Sequence, residues 1–197
     1  DGGAIRVSDD ENLTIRDSVF TGNTATEVAF TGGDGGALYF TGGVLQIFNT
    51  TFSQNDAANA GGAIYVENGT MLVQDSVFTG NSSGADGGAL YAGELYGGVF
   101  TGTTFTGNTA GDGGGAITFY SINGSILVDD CDITGNTSTN DGGGLYAASF
   151  YYGSTLTIAN STITGNTAGD DGGGVYFGST DGTLRTISPT IANHTAA

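Results

Sequence analysis

The chain has 197 residues, 38 of them glycine, with one proline and neither tryptophan nor lysine. Its formal net charge is −17, and Arg6, Arg16 and Arg185 are its only strong cations. That balance excludes nucleic acid as a partner and disfavours an anionic membrane surface; it suits a soluble chain with bound cations or a salty exterior. The glycines do not recur every third residue, which excludes collagen. Aliphatic and aromatic residues recur at fixed phase, which excludes disorder. No apolar run is long enough to span a bilayer, so no membrane insertion is expected.

The elements come as repeating units that begin near residues 1, 34, 60, 86, 112, 141 and 171. The first opens with Gly2-Gly3-Ala4-Ile5 and closes with Phe20…Asn23. The second runs from Gly35-Gly36-Ala37-Leu38 to Phe52…Asn55, and the third from Gly61-Gly62-Ala63-Ile64 to Phe78…Asn81. Gly87-Gly88-Ala89-Leu90 leads to Phe105…Asn108, Gly114-Gly115-Ala116-Ile117 to Ile133…Asn136, and Gly142-Gly143-Gly144-Leu145 to Ile163…Asn166. The last unit opens with Gly172-Gly173-Gly174-Val175 and ends on a shortened Ile191…Asn193. A period of this kind means one supersecondary unit stacked on copies of itself, each covering its neighbour's apolar side.

Within the third unit, Ala63-Ile64-Tyr65-Val66 alternates and meets an Asn68-Gly69 turn. Met71-Leu72-Val73 follows, then a bend at Asp75, a third short strand through Phe78, and a break at Gly80-Asn81. Three short strands per coil predict an all-β solenoid, a single parallel β-helix domain over 1–197 with about seven coils. Leu13/Ile15/Phe20, Leu45/Ile47/Phe52, Met71/Val73/Phe78, Ile126/Val128/Ile133 and Leu156/Ile158/Ile163 keep the same offsets, so they form the predicted core. Equivalent positions should stack ~4.8 Å apart along the axis.

Two polar columns fall at bends. The closing asparagines predict an amide ladder. Asp17, Asn49, Asp75, Asp130 and Asn160 predict a second corner, because Asx residues tolerate left-handed φ. Cys131, the single cysteine, occupies the inward column of Ser18, Thr50, Ser76, Thr103 and Ser161, so a buried inert thiol is expected.

The pair Gly-Gly-Ala-Ile/Leu and Phe-x-x-Asn resembles the polymorphic membrane protein repeat of autotransported bacterial adhesins. It is also similar to the wider pectin-lyase-like right-handed β-helix superfamily. The resemblance covers the whole chain and implies a right-handed β-helix at the cell surface or outside the cell. It says little of activity, because such coils carry adhesins, enzymes and rods alike.

No catalytic residue is assigned. The acidic clusters Asp9-Asp10-Glu11, Asp129-Asp130-Asp132 and Asp170-Asp171 lack the paired environments that acid–base work needs, and His194 reads as a solvated terminal residue. No cofactor is required. Asp86, Asp112, Asp141 and Asp171, each next to a glycine pair or triplet, would form an axial row of carboxylates that calcium could relieve. Eight Asn-x-Ser/Thr sites, Asn12, Asn49, Asn68, Asn81, Asn123, Asn136, Asn160 and Asn193, make glycosylation an expectation, with Asn68 and Asn123 at Asn-Gly turn tips the most accessible. Of the eight, Asn81, Asn136 and Asn193 fall in the predicted ladder. Outward ranks such as Thr106 and Thr164 are good strand formers and also the pattern of an ice-binding face, interrupted at Val19, Val77 and Asp132.

Loop length varies on one side. The first interval carries Thr26-Glu27-Val28-Ala29-Phe30-Thr31, and aromatic-rich loops carry Tyr96, Phe150, Tyr151 and Tyr152, which are candidates for recognising a glycan or protein. Neither end has a polar cap, and the end of the chain is in phase with its start. Asp1, Gly2, Gly3, Ala4 and Ile5 at one end, and Ile187, Ile191 and Asn193 at the other, are thus the expected faces of a head-to-tail homopolymer. The expected function is a secreted or cell-surface filament subunit rather than an enzyme, with an adhesin segment as the alternative.

Overall fold

The computed structural model describes residues 1–28, 31–179 and 181–197, and among them there is no helix. The opening strands pair in parallel and in register, Ile5 with Leu38, Leu38 with Ile64, Ile64 with Leu90, Leu90 with Ile117, Ile117 with Leu145 and Leu145 with Val175. Like residues therefore lie in rows along the axis, and the glycine openings of the sequence mark the same corner in every coil. Four strands form each regular coil rather than three. After the ladder asparagine comes a two-residue strand, such as Ser82–Ser83 or Thr109–Ala110, too short to leave an alternation in the sequence.

These strands make three parallel sheets of 13, 7 and 6 members. The first two strands of each coil share the largest sheet, because Leu90–Thr101 runs unbroken through the corner that other coils turn. Seven coils open, but the smallest sheet has six strands, and its seventh place is only a bridge from Thr167 to Thr195. The solenoid thus completes about six turns. The inserted segment after Thr26 adds the one antiparallel pair among the described residues, Glu27–Val28 with Thr31–Gly32; Ala29 and Phe30 lie outside them.

The core follows the predicted columns. Phe20, Phe52, Phe78 and Phe105 stack at centroid separations of 4.9, 4.9 and 4.7 Å with planes within 10°. Each such pair contributes about 0.5–1.5 kcal/mol beyond the area it buries. In the fourth coil Gly98 takes the place of Leu45, Met71 and Ile126, and a Cβ there would lie 3.0 Å from the Ile126 side chain, which fills the gap.

The glycine pair is set by backbone crowding. Gly61 has φ +68°, and a Cβ on Gly62 would run into the carbonyl oxygens of Gly88 and Ser82 in the next coil. The second corner also forms as predicted. Asp17, Asn49, Asp75, Asp130 and Asn160 all have φ between 45° and 53°, with Gly102 and Ser188 at the equivalent places in the remaining coils. Cys131 is buried, its Sγ–H directed to the Asp129 carbonyl at 3.3 Å, as Ser76 Oγ–H is to Gln74 at 2.8 Å.

Candidate functional site

The closing asparagines form one continuous ladder. In Asn81, both the backbone N–H and Nδ2–H donate to Oδ1 of Asn108, at 2.9 Å each, and the second Nδ2–H reaches back to the Phe52 carbonyl at 3.1 Å. Asn55, Asn108 and Asn136 repeat this pattern, and no buried side-chain polar atom among the described residues lacks a partner. The last rung departs from the sequence reading. His194, not Asn193, follows Ile191 by the three residues that separate Ile163 from Asn166, and its ring occupies the ladder. Asn193 instead sits exposed at φ 60°, in the column of Gly80, Gly107, Gly135 and Gly165. His194 is accordingly half-buried rather than fully solvated.

The first and last coils of these 197 residues are less covered than those between them. At the head, Asp1, Gly3 and Ala4 are exposed and Ile5 half-buried, whereas the equivalent Ala37, Ala63 and Ala89 are fully buried. At the tail, Ile187 and Ile191 are 38% and 46% exposed. The expected interface residues therefore fall into two sets on opposite ends of the rod, Asp1 to Ile5 on one and Ile187, Ile191 and Asn193 on the other. Between them runs an aromatic column that sequence reasoning missed. Arg6, Tyr39, Tyr65 and Tyr91 share one register, with the Arg6 guanidinium 5.0 Å from the Tyr39 ring, and the column resumes at Tyr146 and Tyr176, 5.3 Å apart. Burial, then the Glu67 carboxylate, raises the Tyr65 hydroxyl well above its ordinary pKa; that hydroxyl donates to Glu67 Oε2 at 3.0 Å.

The expected row of carboxylates is interrupted: Asp86, Asp141 and Asp171 share one column and Asp112 leaves it. The glycine triplet at Gly113-Gly114-Gly115 moves Asp112 one place back, so Gly113 occupies its column, as Ala60 does two coils earlier. Asp34, Asp86 and Asp141 each accept the backbone N–H of the next coil, Ala60 at 3.2 Å, Gly113 at 3.0 Å and Asp171 at 3.0 Å, while Asp112 accepts Nδ2–H of Asn140 at 2.7 Å. These acids staple one coil to the next. Among the described residues no three His, Cys, Asp or Glu side chains converge as a metal site. Asp129 is likewise engaged by Asn160, Asp130 forms its corner, and Asp132 faces outward.

The glycosylation candidates divide by position. Asn81 and Asn136 are buried in the ladder, with 1% and 0% of their surface exposed. Asn12, Asn49, Asn68, Asn123, Asn160 and Asn193 are exposed, but Asn49 and Asn160 commit Nδ2 to Asp17 (2.6 Å) and Asp129 (2.8 Å), and Asn12 Oδ1 accepts from Val44 N–H at 2.7 Å.

Of the loop aromatics, Tyr96, Tyr151 and Tyr152 are more than half exposed. Phe150 is not a surface residue. It points into the core against Phe177, 5.3 Å away, because it continues the inward column of Leu95 and Ile122. A turn closed by Ser154 N–H to the Tyr151 carbonyl, 2.9 Å, presents Tyr152. Beside it lies a cleft of about 300 Å³ bordered by Tyr120, Tyr151, Ser149, Gly178 and Asp181. Sequence reasoning missed Tyr120, which stands alone in its coil.

Two family models match this architecture. That of the right-handed β-helix region covers residues 35–197, and that of the Chlamydia polymorphic membrane protein repeat covers residues 17–41. The second match takes in Phe20…Asn23 and Gly35-Gly36-Ala37-Leu38, one copy of each recurring motif. No curated protein and no solved structure matches the chain. With in-register parallel coils throughout and the first model covering most of its length, the chain belongs to the right-handed β-helix family.

Proposed function

We propose that the chain is a structural rod on or outside a cell, joined head to tail with further copies into a filament. The observation that carries this reading is the in-register stacking of like coils, in which each coil is covered by its neighbours. In the last coil Leu184 and Ile191 continue the inward columns of Leu156 and Ile163 and, with Ile187, are partly exposed, and in the first coil Ile5, Leu13 and Phe20 are only partly covered. Unpaired parallel edges with apolar rows are templates for pairing, and a head-to-tail contact propagates. The occupant that fits is a second copy, since each junction would continue the coil-on-coil interface already repeated along the axis. Arg6 of one copy would then cover Tyr176 of the next, as it covers Tyr39 in its own. The polymorphic membrane protein repeat supports a surface location.

Light scattering and electron microscopy across a concentration series test the proposal. Rods should lengthen with concentration, and more readily in salt, which screens the −17 charge. Ile187→Asp with Ile191→Asp should leave short folded rods. A wild-type chain that stays monomeric at high concentration overturns the filament. A second reading, an adhesive segment, is favoured by the exposed tyrosines Tyr96, Tyr151 and Tyr152 on one flank.

A further inference from the structure

The flank cleft exists because a side-chain column runs out. Register places Ser121 beside Ser149 and Phe119 beside Ala147, so Ala148 follows Tyr120 in the next coil. Gly178 N–H bonds the Ala147 carbonyl, so the coil after that supplies no side chain at all. From phenol to methyl to hydrogen, the column empties and leaves the space. One side of the Tyr120 ring lies against Tyr91, with centroids 6.1 Å apart. Tyr120 is half exposed and borders the cleft, whereas Tyr91 does not. The remaining wall is fixed. Ser179 Oγ accepts N–H bonds from Phe150 and Gly182, both 3.0 Å, and donates to the Phe150 carbonyl at 3.0 Å. At the rim the Asp181 carboxylate is exposed, and among the described residues it has no ion-pair partner.

We propose that this cleft receives the guanidinium group of an arginine on a protein partner, stacked on Tyr120 and paired with Asp181. The chain already makes this contact twice within itself, with Arg16 3.8 Å from the Phe48 ring centre and Arg6 5.0 Å from Tyr39. A planar cation suits an aromatic face and a carboxylate together, and its fork can also donate to a neighbouring Ser hydroxyl. The net charge of −17 draws cations toward every such site. A neutral sugar could stack on the same ring but would gain nothing from that field. This inference deepens the adhesive reading and is independent of filament formation.

The test is a titration of the full ¹⁵N-labelled chain at physiological salt with three probes: a blocked Gly-Arg-Gly peptide, its Gly-Lys-Gly counterpart and a methyl glucoside. The arginine peptide should shift the amides of Ala148, Ser149 and Gly178, and bind about five-fold tighter than the lysine peptide. Tyr120→Leu and Asp181→Asn should each weaken it about five-fold while the ladder amides of Asn81 and Asn108 stay in place. Equal binding of the two peptides, or binding indifferent to both substitutions, reduces the effect to polyanion attraction and overturns the assignment. Glucoside shifts at these amides without arginine shifts overturn it too, but leave the adhesive reading standing. Silence from all three probes removes both.

Discussion

The ring of His194 completes the ladder of Asn166 with different chemistry. Asn166 N–H can only donate, so Nδ1, 3.2 Å away, accepts; the proton of the neutral ring is thereby assigned to Nε2, 3.1 Å from the Ile163 carbonyl. The ring thus reproduces the acceptor and one donor of an asparagine amide, and it has no second donor to pass onward. His194→Asn should keep both bonds, whereas His194→Ala should orphan the Asn166 N–H and the last coil should fray. Hydrogen exchange at Asn166 and Ala168 measures this, and the expected result is faster exchange in the alanine variant only.

Inside the ladder the stakes are higher. Asn108 Oδ1 is the acceptor for both the N–H and the Nδ2–H of Asn81, and its own Nδ2 serves Phe78 and Asn136. Asn108→Leu leaves at least two buried donors without partners, at ~1–3 kcal/mol each. A stability loss of about 3–5 kcal/mol is expected, read as a lower denaturant midpoint. The leucine supplies more apolar surface than the amide, so a neutral or stabilised variant would mean that the ladder is incidental.

The period of the sequence carried the fold because each coil is covered only by its neighbours, so equivalent positions feel equivalent surroundings and are filled alike. Phe52, Phe78 and Phe105 and the corners at Asp75 and Asn160 were legible for that reason. What was not legible depends on departures from the period. The extra glycine at Gly113 slides Asp112 out of its column, and Asn193, one place short, carries the residue type of the ladder while His194 holds its position. Phe150 is hidden among surface tyrosines because its inward direction is set by Ile122 in the preceding coil. The cleft is still less visible in one dimension, since it arises from a side chain that is absent at Gly178.

Glycan occupancy should follow ladder membership. Expressed in a host that glycosylates Asn-x-Ser/Thr, the chain should be modified at Asn68 and Asn123, whose side chains are exposed at turns. Asn81 and Asn136 should be bare, because their amide nitrogens are already bonded twice inside the rod. Glycopeptide mass spectrometry reads each site separately, and occupancy at Asn136 in folded protein would contradict the ladder directly.

One staple carboxylate, Asp86, gives stability a pH dependence. Burial raises the pKa of Asp86, the neighbouring Asp112 charge adds to this, and the Gly113 N–H opposes both. The folded chain therefore holds its proton to higher pH than the unfolded chain does. The resulting stabilisation is complete below the unfolded carboxylate range near pH 4 and is lost as pH rises through the folded value. Asp86→Asn keeps an acceptor for Gly113 without the charge. It should match the parent near pH 4 and exceed it at pH 7, as urea midpoints across that interval would register.

Cys131 offers a probe of the whole solenoid. Burial is the main force pushing its thiol up to about 11, and backbone hydrogen bonds with Thr103 and Asp129 only partly offset it. The thiolate is the reactive form, so at pH 8 the folded chain should react with a thiol reagent far more slowly than an unperturbed cysteine, and at a rate set by opening of the coils. In denaturant the reaction should run to one thiol per chain at the ordinary rate. Asn108→Leu should raise the native rate, because breaking the ladder one coil before the Ile133–Asn136 rung loosens the stack that covers Cys131. An unchanged rate in that variant would mean that the thiol is shielded locally, by its own corner, and not by the stacking of successive turns.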